Sequence, residues 1–332
     1  MILEKLRLVN FRNHKDSIFE FDRVNYISGD NGAGKTSVAE AISLIFTLKS
    51  FRQYNLKKVI NFGSEYFYLN SIINNSGKKY DIKFKYSKKK ELFVNNNKEN
   101  PENYIKDKLL FTYSPENEGI LSKNQRDRRN FIDRAIFYTD FNYIELLKNY
   151  NKLLEMKKNL LLSEKFDREY LAVINDKLFI LSGKISEYRK SWADAINAKL
   201  SLNFGDIISD EKFKIVIKQI NIDKDILKRE IFLKKIIAGA HLDKIYFYLN
   251  DKCYEDFASF GQRKTFSLLT LASVLFSIED LGKNGIILVL DDFEVGLDSK
   301  RIGVFKSIFE KYQVIVTGVE NRYFKNANNI KL

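Results

Sequence analysis

Apolar and polar positions along this chain change period several times, and each change marks an element. Val24-Asn-Tyr-Ile27 is a short apolar run rich in β-formers, which predicts a strand. Thr36-Ser-Val-Ala-Glu-Ala-Ile-Ser-Leu-Ile-Phe46 contains neither Gly nor Pro and is made of good helix formers, which predicts a helix. Tyr66–Ile73, Lys79–Tyr86 and Glu91–Val94 then predict an antiparallel meander separated by Asn-Ser-Gly and Lys-rich turns. The run Lys88-Lys89-Lys90 sits at such a turn and reads as a solvated hairpin tip.

After Pro115 the pattern becomes helical. From Glu116 to Asn203 there is no proline and only two glycines, Gly119 and Gly183, and apolar residues such as Phe131, Ile132, Ala135, Leu147, Leu154 and Leu161 recur at helical spacing. A break is expected near Ser163–Asp167. Strand character returns at Lys212–Lys218 and Lys244–Leu249, followed by a helix over Gln262–Ile278. A buried strand Gly285–Asp291, a helix from Ser299 and a last strand Gln313–Thr317 complete the chain. No internal repeat is present. The layout is α/β: a nucleotide-binding lobe over 1–115 and 205–332, with a mixed sheet and a meander, interrupted by a helical lobe over 116–204.

Composition narrows the class. The 332 residues, 45% hydrophobic, can bury a sizeable core in one or two lobes. No apolar run approaches a membrane span, the N-terminus lacks a signal-peptide layout, and the single Cys253 excludes an internal disulfide or a cysteine-built metal site. A soluble cytoplasmic protein without membrane contact is expected. His14 and His241 cannot make a zinc-hydrolase site between them. The net charge of +13 invites a polyanion partner, although the Lys, Asn, Ile and Phe bias of an AT-rich genome gives the same balance.

The chemistry is carried by three stretches. Gly29-Asp-Asn31-Gly32-Ala-Gly34-Lys35-Thr36 fits G-x-x-x-x-G-K-[ST] and stands between the expected strand and helix. Its glycines allow backbone N–H groups to turn onto a polyphosphate at a helix N-terminus; Lys35 reaches the β/γ oxygens, Thr36 holds Mg²⁺, and Ser37 follows in the cradle. Ile286–Asp291-Asp292 is an apolar strand ending in two carboxylates. Asp291 suits the Mg²⁺ shell and Asp292 suits orienting or deprotonating the attacking water; an ordinary acidic turn has the same letters. Ser259-Phe-Gly261-Gln262 opens the helix before that strand and is either a plain N-cap or a second anion site. In this order the three stretches match the ABC-type ATPases, in which the signature helix completes the site of a second subunit.

Five stretches together resemble the RecF family, relatives of the SMC-type ATPase heads. They are Leu8-Val-Asn-Phe11-Arg12-Asn13; the glycine loop with Ser50-Phe51-Arg52; Tyr113-Ser114-Pro115-Glu116 with Arg128-Arg129-Asn130-Phe131-Ile132-Asp133; Gly239-Ala-His241 with Ser259–Gln262; and Leu290–Phe293 with Gly296-Leu297-Asp298. The resemblance implies that Arg12 reaches the nucleotide phosphates, that Glu116 senses the metal and γ-phosphate, and that Asp298 faces a partner subunit. It implies ATP and Mg²⁺ as ligands, an ATP-dependent homodimer on duplex or gapped DNA, weak DNA-stimulated ATP hydrolysis, partners RecO and RecR, and support of RecA loading. For Arg128 and Arg129, contact with DNA phosphates and a solvated helix face stay open.

Departures from the family pattern are Gly239-Ala-His241-Leu242, which lacks a proline and a cation, and Gly296 where Glu is usual. No histidine follows the last core strand; Thr317 ends it. The helical arm is too short, and lacks the sustained heptads, for a long-coiled-coil SMC protein. Other readings are a defence-system head, an ATP-binding scaffold without turnover, and a transporter motor; the intact Asp291-Asp292 pair disfavours the scaffold.

Overall fold

Two strands, β1 (Ile2–Phe11) and β2 (His14–Glu20), open the chain as a hairpin, and β3 (Val24–Ser28) leads into helix α1 (Lys35–Thr47). The computed structural model describes residues 1–53, 55–114, 121, 124–163, 167–204 and 211–332. The expected meander is present as β4 (Phe67–Asn75), β5 (Lys78–Tyr86) and β6 (Lys90–Val94), extended by a short β7 (Asn97–Lys98). β1 and β2 join it, giving an antiparallel sheet in the order β2-β1-β4-β5-β6-β7. A short helix α2 (Pro101–Ile105) and strand β8 (Leu110–Tyr113) follow.

The chain divides into two compact units, Met1–Gly119 with Gly282–Leu332, and Ile120–Leu281. This moves the expected boundary at residue 205. The sequence pattern puts residues 205–332 in the nucleotide-binding lobe, yet residues 211–281 group with the helices before them. The second unit contains α3 (Gln125–Thr139), α4 (Tyr143–Leu162) and α5 (Arg168–Asn203). α4 ends and α5 begins on either side of the anticipated break, with Asp167 accepting the Tyr170 N–H as N-cap. Next come β9 (Phe213–Lys218), α6 (Lys224–Leu233), β10 (Lys244–Leu249), β11 (Lys252–Cys253), α7 (Tyr254–Phe257) and α8 (Phe260–Glu279). The physical reason for the shift is packing. β9 and α8 lie against α5, and Phe213 stacks on Phe266 of α8 at 4.5 Å, so the strands after residue 211 are faced by the helical arm's own core.

The first unit resumes with β12 (Ile287–Asp291), α9 (Ser299–Phe309), β13 (Gln313–Gly318) and β14 (Asn328–Lys331). Among the described residues they build a second sheet, β14-β3-β13-β12-β8, in which every pairing is parallel. The α/β class and the separate antiparallel meander are as expected, and the sheet expected to be mixed is parallel throughout among the described residues. Helix α1 packs against both, and all but Thr36 and Thr47 of its thirteen residues are buried. That burial fits a helix whose stretch Val38–Phe46 is apolar apart from Glu40 and Ser43. Ile42, Ile45 and Phe46 share one core with Leu8, Phe67 and Phe84 of the antiparallel sheet and Ile27, Val289 and Ile315 of the parallel one. Each such side chain contributes about 1.5–3 kcal/mol by transfer from water. α1 is thus fixed rigidly, with its N-terminus at the mouth of the glycine loop. No helix among the described residues is long and apolar enough to cross a membrane.

Candidate functional site

Three neighbouring parallel strands, β3, β13 and β12, reach the same edge of their sheet, and register places Asp291 beside Thr317 and Thr317 beside Ile27. The carboxyl edge of a parallel sheet is where α/β folds hold ligands. The chain leaves β3 through the glycine loop. Gly32 and Gly34 take φ of 89° and 110°. A Cβ on Gly34 would stand 2.6 Å from His14 Nε2 and 2.7 Å from Asn13 Nδ2, so only glycine fits. Gly34 is the N-cap of α1 without a side-chain cap, and the first turn of α1 carries no acid. Lys35, 7% exposed, opens that helix and donates from Nζ to the carbonyls of Gly29 (2.7 Å) and Asp30 (2.9 Å). A cation at the positive end of a helix is electrostatically unfavourable by itself. Uncapped N–H groups and a buried ammonium converging there make an anion site. Asn31 and Gly32 lie exposed on the loop, and Ser37 is buried in the first turn of α1.

The acidic half of the site is joined to it directly. Thr36 Oγ1 donates to Asp291 Oδ1 at 3.1 Å, and Thr317 Oγ1 donates to the same oxygen at 2.5 Å. Thr317 Oγ1 also accepts the Asp292 N–H at 3.2 Å. Burial raises the Asp291 carboxyl above its ordinary range, and the adjacent Asp292 charge adds to this, while the two threonine hydroxyls and Arg52 oppose it. Such a carboxylate gains from a cation. A hydroxyl and a buried carboxylate meeting at the loop's edge are oxygen ligands of the kind Mg²⁺ takes, so Thr36 and Asp291 fit the metal. Asp292 has φ 48°, so the backbone turns sharply after Asp291; its side chain is only half-buried. Asp298 is exposed at the N-cap of α9, where it accepts the Arg301 N–H at 2.8 Å.

The β1–β2 turn is the other wall of the cradle, and it alters one expectation. Arg12, expected on the phosphates, is held elsewhere. Its guanidinium forms a fork on Glu40 of α1 (2.8 and 2.9 Å), and it also donates to the Lys58 carbonyl. Glu40 is fully buried and draws the guanidinium because a carboxylate out of water must be paired. Ser50, from the Ser-Phe-Arg stretch, donates to Glu40 as well. Asn13 donates to the Ala33 carbonyl at 3.1 Å, and His14 Nε2 stands 3.4 Å from the Gly34 carbonyl. Glu40, His14 and Thr317 received no role from the sequence. The available signal for Glu40 was a lone carboxylate in the apolar run of α1.

The second unit holds the remaining residues. Ser259 is the exposed N-cap of α8 in a reciprocal capping box with Gln262: it accepts the Gln262 N–H at 3.3 Å, and Gln262 Oε1 accepts the Ser259 N–H at 2.9 Å. Gly261 lies in the first turn of α8, and Gln262 Nε2 reaches Glu211 at 2.9 Å. This turn presents a hydroxyl outwards at a helix N-terminus. Arg128 fits neither of its two open readings, a DNA contact or a solvated helix face, and is a framework residue. It is 1% exposed, donates to the Ile245 carbonyl at 2.7 Å, pairs with Glu255 and lies on the Phe247 ring. Arg129 is half-buried and donates to the Asp243 carbonyl at 2.7 Å. Glu116 lies outside the described residues.

A model of the RecF/RecN/SMC N-terminal domain matches residues 2–331. The DNA replication and repair protein RecF of Oenococcus oeni is 30% identical, covering 96% of this chain and 92% of that protein. Its counterpart in Clostridioides difficile is 31% identical with the same coverage. The solved structure of the recombination mediator protein RecF with ATP, in the RecFOR pathway, aligns at a TM-score of 0.85 and 26% identity, over 96% of this chain and 92% of that one. An Smc head bound to the C-winged-helix domain of ScpA aligns over 99% of this chain and 93% of that one, at a TM-score of 0.58 and 14% identity, and shares the fold alone.

Proposed function

The chain belongs to the RecF family, and from that premise we propose that it acts in recombinational repair as an ATP-dependent DNA-binding ATPase that closes as a homodimer. The observation that carries this reading is the convergence of Lys35, Thr36 and Asp291 at one uncapped helix end. ATP is the anion that the end fits. Lys35 exchanges the Gly29 and Asp30 carbonyls for β- and γ-phosphate oxygens, and the loop N–H groups, Asn31 and Gly32 among them, surround the chain of phosphates. Thr36 and Asp291 would hold Mg²⁺, which would supply neutralisation of charge on the transferred phosphoryl group. Thr317 keeps Asp291 and the Asp292 backbone in register, and Asp292 orients and deprotonates the attacking water.

Ser259, Gly261 and Gln262 of a second copy cap the γ-phosphate, with Asp298 at the joint. The exposure of Ser259 and the helix N-terminus behind it support this role. Closure holds DNA through lysine and arginine contacts to phosphates, so binding is salt-sensitive and nearly indifferent to sequence. Slow, DNA-stimulated hydrolysis then releases it. RecO and RecR as partners, support of RecA loading, and a cytoplasmic setting complete the reading. Lys35→Ala is expected to abolish ATP-dependent dimerisation, read by light scattering with and without Mg-ATP and again with gapped DNA. An undiminished dimer in that variant would remove the mechanism.

A further inference from the structure

Helix α6 is inside out. Its buried residue is Glu230, whereas Ile231, Phe232 and Leu233 are all exposed, Phe232 by 87%. Burial normally runs the other way: each large apolar side chain left in water forgoes about 1.5–3 kcal/mol, and a buried carboxylate demands a partner. The helix is held in this rotation by a dedicated set of bonds. Glu230 Oε2 accepts from the buried Lys157 Nζ of α4 at 2.5 Å, and Glu230 Oε1 accepts the N–H groups of Ile237 (2.7 Å) and Ala238 (3.3 Å). Lys234, with φ 49°, ends α6 in a left-handed cap that returns the chain to those bonds. A buried ion pair thus displays three apolar side chains on a fixed scaffold.

Basic residues flank this display in the sequence, while the exposed acids Asp223 and Asp225 lie at the opposite, N-terminal end of the helix. Lys228, Arg229, Lys234 and Lys235 are exposed beside it, and Lys228 shares its charge with Asp225 at 3.3 Å. Between 226 and 242 the one acidic residue is Glu230, which is buried. A partner that covers this surface offers apolar faces interleaved with negative charge. Unpaired nucleotides do so, since bases stack on aromatic side chains while phosphates meet cations. We infer that the C-terminal turn of α6 is a single-stranded nucleic-acid contact, with Phe232 as the stacking side chain and Lys228, Arg229, Lys234 and Lys235 as phosphate contacts. It rests on the DNA-binding reading above and supplies a location for it, in place of the buried Arg128.

The test uses the full chain and a fluorescein-labelled oligothymidylate, read by anisotropy across a salt series, with ATP binding measured in parallel. Phe232→Ala is expected to weaken binding roughly 5- to 150-fold, and Phe232→Tyr to restore most of it. The double variant Lys234→Glu/Lys235→Glu is expected to flatten the logarithmic salt slope by about 0.7 for each phosphate the protein no longer neutralises. ATP affinity stays unchanged in all of them. In Phe232→Trp, emission should be quenched as the oligonucleotide binds. Wild-type protein that binds the oligonucleotide together with variants that bind it equally well overturns this surface alone. Wild-type protein that binds ATP but no DNA overturns the surface and the DNA-binding reading together.

Discussion

At the residue scale, the fork between Arg12 and Glu40 shows how far one carboxylate can organise a site. Glu40 joins three stretches: the distant β1–β2 turn through Arg12, the loop just after α1 through Ser50, and α1 itself. Glu40→Ala leaves a guanidinium and a hydroxyl without their partner beside the cradle. Expected is a loss of about 3 kcal/mol, measured by urea unfolding, together with weaker ATP binding. The letters Arg12 and Ser50 were visible in the sequence, but their shared partner was not. Glu40 lies 28 residues from Arg12, and nothing short of the folded chain brings the two together.

At the element scale, the second unit is framed by buried charge. Arg189 of α5 holds Asp133 of α3 by a fork at 2.8 and 2.9 Å and meets Asp243 at 3.0 Å, and Ser186 donates to Asp243 at 2.7 Å. The Arg-Arg-x-Phe-Ile-Asp stretch is therefore a structural lattice, which is why Arg128 and Asp133 point inwards. Nearby, the 3-10 helix Ala240–Leu242 carries His241, whose Nδ1 is 2.9 Å from the Tyr150 hydroxyl. Burial, then the charges of Arg129, Lys157 and Arg189, lowers its pKa from 6.5 to about 4. The folded state therefore resists protonation where the unfolded chain accepts it. Stability from this group is complete above pH 6.5 and is lost as pH falls towards 4, an effect of about 2–3 kcal/mol. His241→Gln is expected to flatten that acid limb in a pH series of urea midpoints. Element α6 was missed because apolar periodicity finds helices that bury their apolar residues, and this one buries a glutamate.

At the scale of the whole molecule, the two units hold different parts of the proposed chemistry: the cradle and its acidic strand in one, the serine-capped helix α8 in the other. The proposed cycle makes a specific demand on their cooperation between copies. Asp292→Asn keeps the Thr36–Asp291 pair and the Thr317 bond to the backbone intact, so ATP binding and dimer closure should survive. Hydrolysis should fall about 10²- to 10⁴-fold, measured as phosphate release, with the ATP-bound dimer persisting in light scattering. A rapid return to monomer at the wild-type rate would show that Asp292 is not the base.

The order of strands, glycine loop, helix and acidic strand was determined by sequence alone, because those motifs are local: adjacent residues make the phosphate loop, and a continuous apolar run makes a buried strand. The tertiary structure decided what depends on distant partners. It paired Thr317 with Asp291 across a strand register, assigned Arg12 to Glu40, placed 211–281 with the helical arm, and turned Arg128 into the core while leaving Phe232 outside. Burial is set by what packs on a side chain from elsewhere in the chain, and a residue's own neighbours in sequence do not carry that information.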